Sequence, residues 1–228
     1  MSDVLAIAEA ALRNSLTAVD SVSRNIANAS THGYKRELRT DADFAAYMDS
    51  SAVTHAARDW SAGPMQFTGA SANFAIEGEG WFQLRSPQGT LLTRDGAFRV
   101  DNDGRLVSQQ GWPVLLDAEA SIPSGPLSLR ADNELWAGDV RVGKFQLADV
   151  HAASLEALGP GLYRSKSAAL DAPASASVRQ GFVEGSNVNS LSEMVTLIDS
   201  VRQAEAAQRM MRAYDEATET ALTTLGEF

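Results

Sequence analysis

Hydrophobic positions near the start of the chain recur every seven residues, at Leu5, Leu12, Val19 and Ile26, with Ala8, Ser15 and Val22 on the adjoining seam. That period predicts a long helix with a coiled-coil-like stripe. Ala and Ser line the seam instead of Leu throughout, so it allows close approach but buries little area per turn, and the helix is marginal in isolation. The stripe then runs into SRNIANASTHGYKRE at 23–37, where two asparagines, a threonine and a Gly-Tyr pair crowd together. One helix end needs a single stop signal such as Gly33, so this stretch carries more punctuation than termination requires.

The other end of the chain mirrors this pattern. Ser190 and Glu193 stand at capping-box spacing, predicting a helix from about residue 191. Its apolar stripe is Met194, Leu197, Val201, Ala204, Met211, Tyr214, Ala221 and Leu225, interrupted near Gln208 and Thr218.

Between these ends the period changes from helical to β. Short β-rich runs at 74–76, 81–84, 91–93, 97–100 and 106–108 are separated by turn signals at Pro87-Gln-Gly89, Asp95-Gly96 and Asp103-Gly104, as for consecutive hairpins. Runs at 140–150 and 162–164 extend the sheet system. The connectors 37–71 and 165–189 lack sustained periodicity, and irregular stretches of such length are unusual inside one compact domain. The expectation is an α+β chain of paired N- and C-terminal long helices and one central, mainly antiparallel β domain. Its parts are an N-terminal helix and signature turn (1–36), an arm (37–71), the β domain (72–172), a return arm (173–189) and a C-terminal helix (190–228).

Charge and composition narrow the partners. Acidic residues outnumber basic ones by 29 to 19, a formal charge of −10, so nucleic acid and anionic membrane surfaces are repelled. Cysteine is absent, which removes disulfides, thiolate metal sites and a cysteine nucleophile together. MSDVLAIAEAALRNS carries Asp3 and Glu9 with helical periodicity, unlike a cleaved signal, so the expected route is either retention in the cytosol or export without one. No run approaches the roughly 18 apolar residues of a membrane span.

Catalytic chemistry finds no footing. His32, His55 and His151 show no metal-ligand spacing, and the Asp101–Gly104 loop has Gln110 where a calcium loop needs its Glu. Gly78-Glu-Gly80 lacks the third glycine of a dinucleotide fingerprint, and no serine has triad partners arranged around it. No cofactor or metal is expected. The unusual residues are polar and clustered: Asn25, Asn28, Thr31, Gly33 and Tyr34 at one end, and Glu184, Ser186, Asn187, Val188 and Asn189 at the other. Capping accounts for one such cluster. Two of them, each beside a weak seam, point to polar groups satisfied across subunits. The expected interface joins these to the stripes: Leu5, Leu12, Val19, Val22, Asn25, Ile26, Asn28, Thr31, Gly33, Tyr34, Asn187, Val188, Asn189, Met194, Leu197, Val201, Ala204, Met211 and Leu225.

Four blocks, in order, resemble the bacterial flagellar rod and hook proteins: NIANASTHGYKRE, TGASANFAIEGEGWFQL, TRDGAFRVDNDGRLVSQQGWPVL and GFVEGSNVNSLSEMVTLI. They span nearly the whole chain. His32 stands where Pro is common, Asn73 where Asp is common and Trp81 where Phe is common. Length with a single β domain is unlike the short rod proteins and the hook protein and leaves the proximal- and distal-rod types, and the tail RQAEAAQRMMRAYDEATETALTTL looks more like the proximal type, with the distal type as the alternative.

The resemblance implies a subunit of a tubular drive shaft in the periplasm-spanning rod, its terminal helices pairing around an export channel and its β domain facing outward. The partners it implies are other rod subunits, in homo- and hetero-oligomeric axial assembly, the flagellar type III export apparatus, a rod-capping protein and the L/P-ring bushing. Direct membrane insertion is not implied. Outside the family, the same pattern would suit a secreted β-domain protein oligomerised by a coiled coil.

Overall fold

The computed structural model describes residues 2–38, 57–118, 121–123, 125–166 and 176–226. Two units emerge, each drawn from separated stretches of chain: Met1–Ala27, Arg36–Asp59 and Val188–Phe228 in one, Asn28–Lys35 and Trp60–Asn187 in the other.

In the helical unit, α1 (Ser2–Ala27) and α2 (Ser190–Gly226) pack along each other, beside a short ribbon of β1 (Glu37–Leu38) and β2 (Ala57–Arg58). The buried line of α1 follows the adjoining seam of Ala8, Ser15 and Val22 rather than the heptad of larger side chains. Leu5 is exposed and Leu12, Val19 and Ile26 are half-buried, whereas Ala8, Ser15, Ala18, Ser21, Val22 and Asn25 are buried. On α2 the buried positions are Glu193, Ser200, Ala204 and Ala207, while Met194 and Val201 stay exposed. Small side chains let the helix axes come close, and larger ones are displaced to the flanks. Two of the buried hydroxyls bond within their own helices, Ser15 to the carbonyl of Ala11 and Ser200 to that of Thr196, each at 2.8 Å.

Helix α2 is capped differently from the expectation. Asn189 is its cap: Oδ1 accepts from the amides of Leu191 at 3.1 Å and Ser192 at 3.2 Å, and its carbonyl accepts from Glu193 N at 3.0 Å. The Glu193 carboxylate is thereby released from capping.

Among the described residues every strand pairing of the β unit is antiparallel. Five strands align in the order β12 (Leu147–Ala148), β5 (Trp81–Ser86), β6 (Gly89–Thr93), β14 (Leu162–Ser165) and β13 (Leu155–Gly159). A second sheet joins β9 (Leu127–Arg130), β10 (Glu134–Ala137) and β11 (Val140–Lys144). The β5–β6 hairpin closes through Pro87 and Gln88, the proline presetting the first central φ. β7 (Arg99–Val100) and β8 (Leu106–Val107) form the next hairpin.

The hairpin expectation fails at β4 (Phe74–Glu77), which pairs with β15 (Ser177–Gln180) rather than with β5. Gly78 and Gly80 both take positive φ, a conformation open to glycine, and turn the chain away. β3 (Met65–Phe67) pairs with β16 (Phe182–Glu184). Strands thus occupy parts of the segments read from the sequence as irregular connectors. At the centre of the main core Phe82 meets Phe98 and Phe145 edge to face, and Phe74 lies tilted against the same two rings. A smaller cluster holds Trp81, Leu92, Ala148 and Tyr163, with Trp60 against it.

The chain is therefore α+β, with two terminal helices and a central, mainly antiparallel β region. Among the described residues no helix is long and apolar enough to cross a membrane.

Candidate functional site

The two polar clusters are each organised by a buried carboxylate. In the β unit this is Glu184, at the end of β16. Its Oε1 accepts from Lys35 Nζ at 2.7 Å and from the Gly63 amide at 3.0 Å, and its Oε2 from Arg94 Nη1 at 3.2 Å. Arg94, following β6, also donates through Nη2 to the Gly78 carbonyl at 2.9 Å, and Lys35 donates to the Ser61 carbonyl at 2.7 Å. Burial lowers the Arg94 pKa, and Glu184 opposes that fall.

Residues 28–35 form a turn seated in this unit. Thr31 N donates to the Asn28 carbonyl at 3.0 Å, and the Thr31 hydroxyl meets Asn28 Oδ1 at 3.2 Å. Gly33 N reaches the Glu184 carbonyl at 2.9 Å, and Lys35 N reaches the Tyr163 hydroxyl at 3.2 Å. Only glycine fits at 33: φ is +66°, and a Cβ there would lie 2.4 Å from Asp95 N. Asn187 closes the turn, its amide donating to the Tyr34 carbonyl at 3.4 Å and its side chain to Ser61 O and Oγ at 3.2 Å. His32 Nδ1 stands 3.9 Å from Asp95 Oδ1. Burial raises the Asp95 pKa, while a hydrogen bond from Ala97 N and the neighbouring His32 oppose the rise.

In the helical unit the organising carboxylate is Glu193. Its Oε2 accepts from Asn25 Nδ2 at 3.1 Å and its Oε1 from Arg36 Nε at 2.6 Å. Asn25 also donates to the Glu37 carbonyl at 3.0 Å and accepts from Glu37 N at 2.8 Å. The Glu37 carboxylate pairs with Arg58 and lies 3.7 Å from Arg24 Nη1.

Within the chain, Asn25 and the turn residues have partners of their own. Asn25, Gly33 and Tyr34 are buried and engaged within the chain; Asn28, Thr31, Asn187 and Val188 are half-buried, and Asn189 is occupied as a cap. Met194 and Val201 are exposed, Leu197 and Met211 are half-buried and Ala204 is buried, while the Leu225 side chain lies outside the described residues. Sequence reasoning missed Lys35, Arg36 and Glu37 as structural residues. Their signal was three consecutive charges directly after an aromatic that becomes buried. Among the described residues no group of three or more His, Asp or Glu side chains could hold a metal ion.

One face of α2 that remains uncovered is apolar. Leu191, Met194, Val195 and Ile198 follow one another at helical spacing on α2 and are 77%, 49%, 60% and 53% exposed. Leu5, Ile7 and Leu16 are exposed on α1. Scattered exposed apolar residues are ordinary, but a run at i, i+3, i+4 and i+7 is a helix face without a cover.

Comparison with known proteins places the same segments in known families. The flagellar hook protein FlgE/F/G D1 domain matches residues 75–136, and the flagellar basal body rod FlgEFG protein C-terminal region matches residues 179–224. The second match contains both Glu184 and Glu193. A flagellar basal-body rod protein FlgF of Caulobacter vibrioides is 35% identical over 92% of each chain, and one of Mesorhizobium japonicum is 30% identical over 99% of each. A flagellar basal-body rod protein FlgG of Buchnera aphidicola subsp. Schizaphis graminum is 28% identical over 86% of this chain and 89% of the relative.

Proposed function

Because this chain belongs to the flagellar hook and basal-body rod protein family, we propose that it builds the proximal part of the rod through its terminal helices. It is a structural subunit of the FlgF-like kind and not an enzyme, and its place is the flagellum. The observation that carries the assembly reading is the uncovered face Leu191, Met194, Val195 and Ile198. Covering such side chains fully is worth about 1.5–3 kcal/mol each, which a neighbouring subunit would supply while α1 occupies another face of α2.

The interface is therefore assigned to the exposed flanks, Leu5 on α1 and Met194 and Val201 on α2, with Leu191, Val195 and Ile198. Leu12, Val19, Ile26, Leu197 and Met211 contribute at its edges. Assembly turns these helices into a coiled-coil-like wall around an export channel, and the rod they form transmits torque. Delivery uses the flagellar type III apparatus. The rod-capping protein and the bushing are the neighbours in this arrangement. A distal-rod role is the second reading, supported by the FlgG relative at 28% identity.

The test is complementation of a strain lacking the protein with the Leu191→Ser/Val195→Ser/Ile198→Ser variant. The purified variant should keep its unfolding midpoint while motility and rod formation are lost. Wild-type swimming by that variant removes the face from the interface.

A further inference from the structure

Residues 28–35 belong to the β unit, although the chain leaves that unit after Lys35 and re-enters it only at Trp60. The turn is held there by main-chain hydrogen bonds from Gly33 to Glu184, from Lys35 to the Tyr163 side chain and from Asn187 to Tyr34. Tyr34 is buried, and Lys35 and Glu184 sit among the largest fully buried side chains.

We propose that this turn is a strap whose docking is the obligatory closing step of the β unit, with Glu184 as its latch. Without the strap, Glu184 keeps a single cationic partner, Arg94, and the Glu184 carbonyl and the Tyr163 hydroxyl each lose a donor. Without Glu184, the Lys35 ammonium and the Arg94 guanidinium are left buried without their shared carboxylate. Either half-made state strips a buried charge of a counter-ion, and such states are strongly disfavoured. Strap and sheet therefore close together or not at all.

The latch and its partner are 149 residues apart, so closure waits until the whole intervening chain is present. The consequence for delivery rests on the exported rod-subunit reading. A chain delivered N-terminus first keeps its β unit open until the β15–β16 segment has followed the turn, and so stays in a form that can be threaded. The folding coupling itself holds whether or not that reading does.

Hydrogen exchange by mass spectrometry on the purified full chain tests it. In the wild type, the amides of Gly33 and Lys35 should exchange at the rate of the β5 and β6 amides, since all open in one event. In Glu184→Gln, strap and strand peptides should accelerate together, on the order of a hundredfold. Fast exchange of the strap beside protected β5 and β6 in the wild type would overturn the proposal. So would acceleration confined to the strap in the variant. The wild-type measurement decides even if Glu184→Gln does not fold, and neither measurement depends on rod assembly.

Discussion

Lys35 and Glu184, 149 positions apart, meet at 2.7 Å with side chains only 1% and 2% exposed. A charge pair this deep gains little over an apolar pair, but losing one partner leaves the other stranded. Lys35→Met should destabilise the β unit by about 3–5 kcal/mol. Adding Glu184→Gln should cost less than the two single changes summed, because each has already broken the same contact. Urea denaturation followed by tryptophan fluorescence reads this directly, since Trp60 and Trp81 lie 5.3 and 5.0 Å from the Tyr163 ring. Additive losses would mean the pair is not coupled.

Gly33→Ala confronts two obstacles, a positive φ and the backbone of Arg94 and Asp95. The expected loss is about 2 kcal/mol or more in the same denaturation experiment. A Gly33→Ala protein with an unchanged midpoint would mean that the turn does not seat as described.

Glu193→Ala should weaken the helical unit by about 2–3 kcal/mol, the scale of hydrogen bonds to a charged group, discounted because Arg36 is partly exposed. Thermal melting followed at the helical circular dichroism band measures it. Had Glu193 served as a capping residue, the loss would be nearer the ~1 kcal/mol of a cap, and Asn189→Ala would do little. The account predicts a measurable loss for both.

The half-buried Asp95 carboxyl supplies a pH test. Its pKa is raised by burial, so the folded chain holds that proton more tightly than the unfolded one. Between the ordinary value and the raised one, stability from this group therefore falls as pH rises. Asp117, lowered chiefly by its hydrogen bond from Arg141, acts in the opposite sense, and its contribution is lost as pH falls. Asp95→Asn keeps an acceptor for Ala97 N and removes the ionisation. Its stability relative to wild type should grow from pH 4 to 7, and a flat difference would contradict the half-buried-carboxyl reading.

Much of the fold was legible because it is local. The period of seven located α1, and turn residues located β5 through β8 to within a few positions. Pairings made across the chain were not legible: β4 with β15 and β3 with β16 join segments whose runs are too short to show a period. The seam of small residues was legible too: Ala8, Ser15 and Val22, read as allowing close approach, are buried, and what the sequence did not show is that the larger heptad positions Leu5, Leu12, Val19 and Ile26 sit on the flanks. Asn25 illustrates the limit at the site. Its type announced a polar contact, but only the fold shows that Glu37 and Glu193 provide that contact inside the same chain.

The central claim is that this chain is a rod subunit, and quantitative mass spectrometry of purified hook–basal bodies tests it most directly. The account predicts enrichment together with the other rod proteins, at the few copies per particle of a proximal segment. A copy number several-fold higher would move the chain to the distal rod. Absence from the particles, with the protein recovered free in the cytosol or medium, would contradict the account.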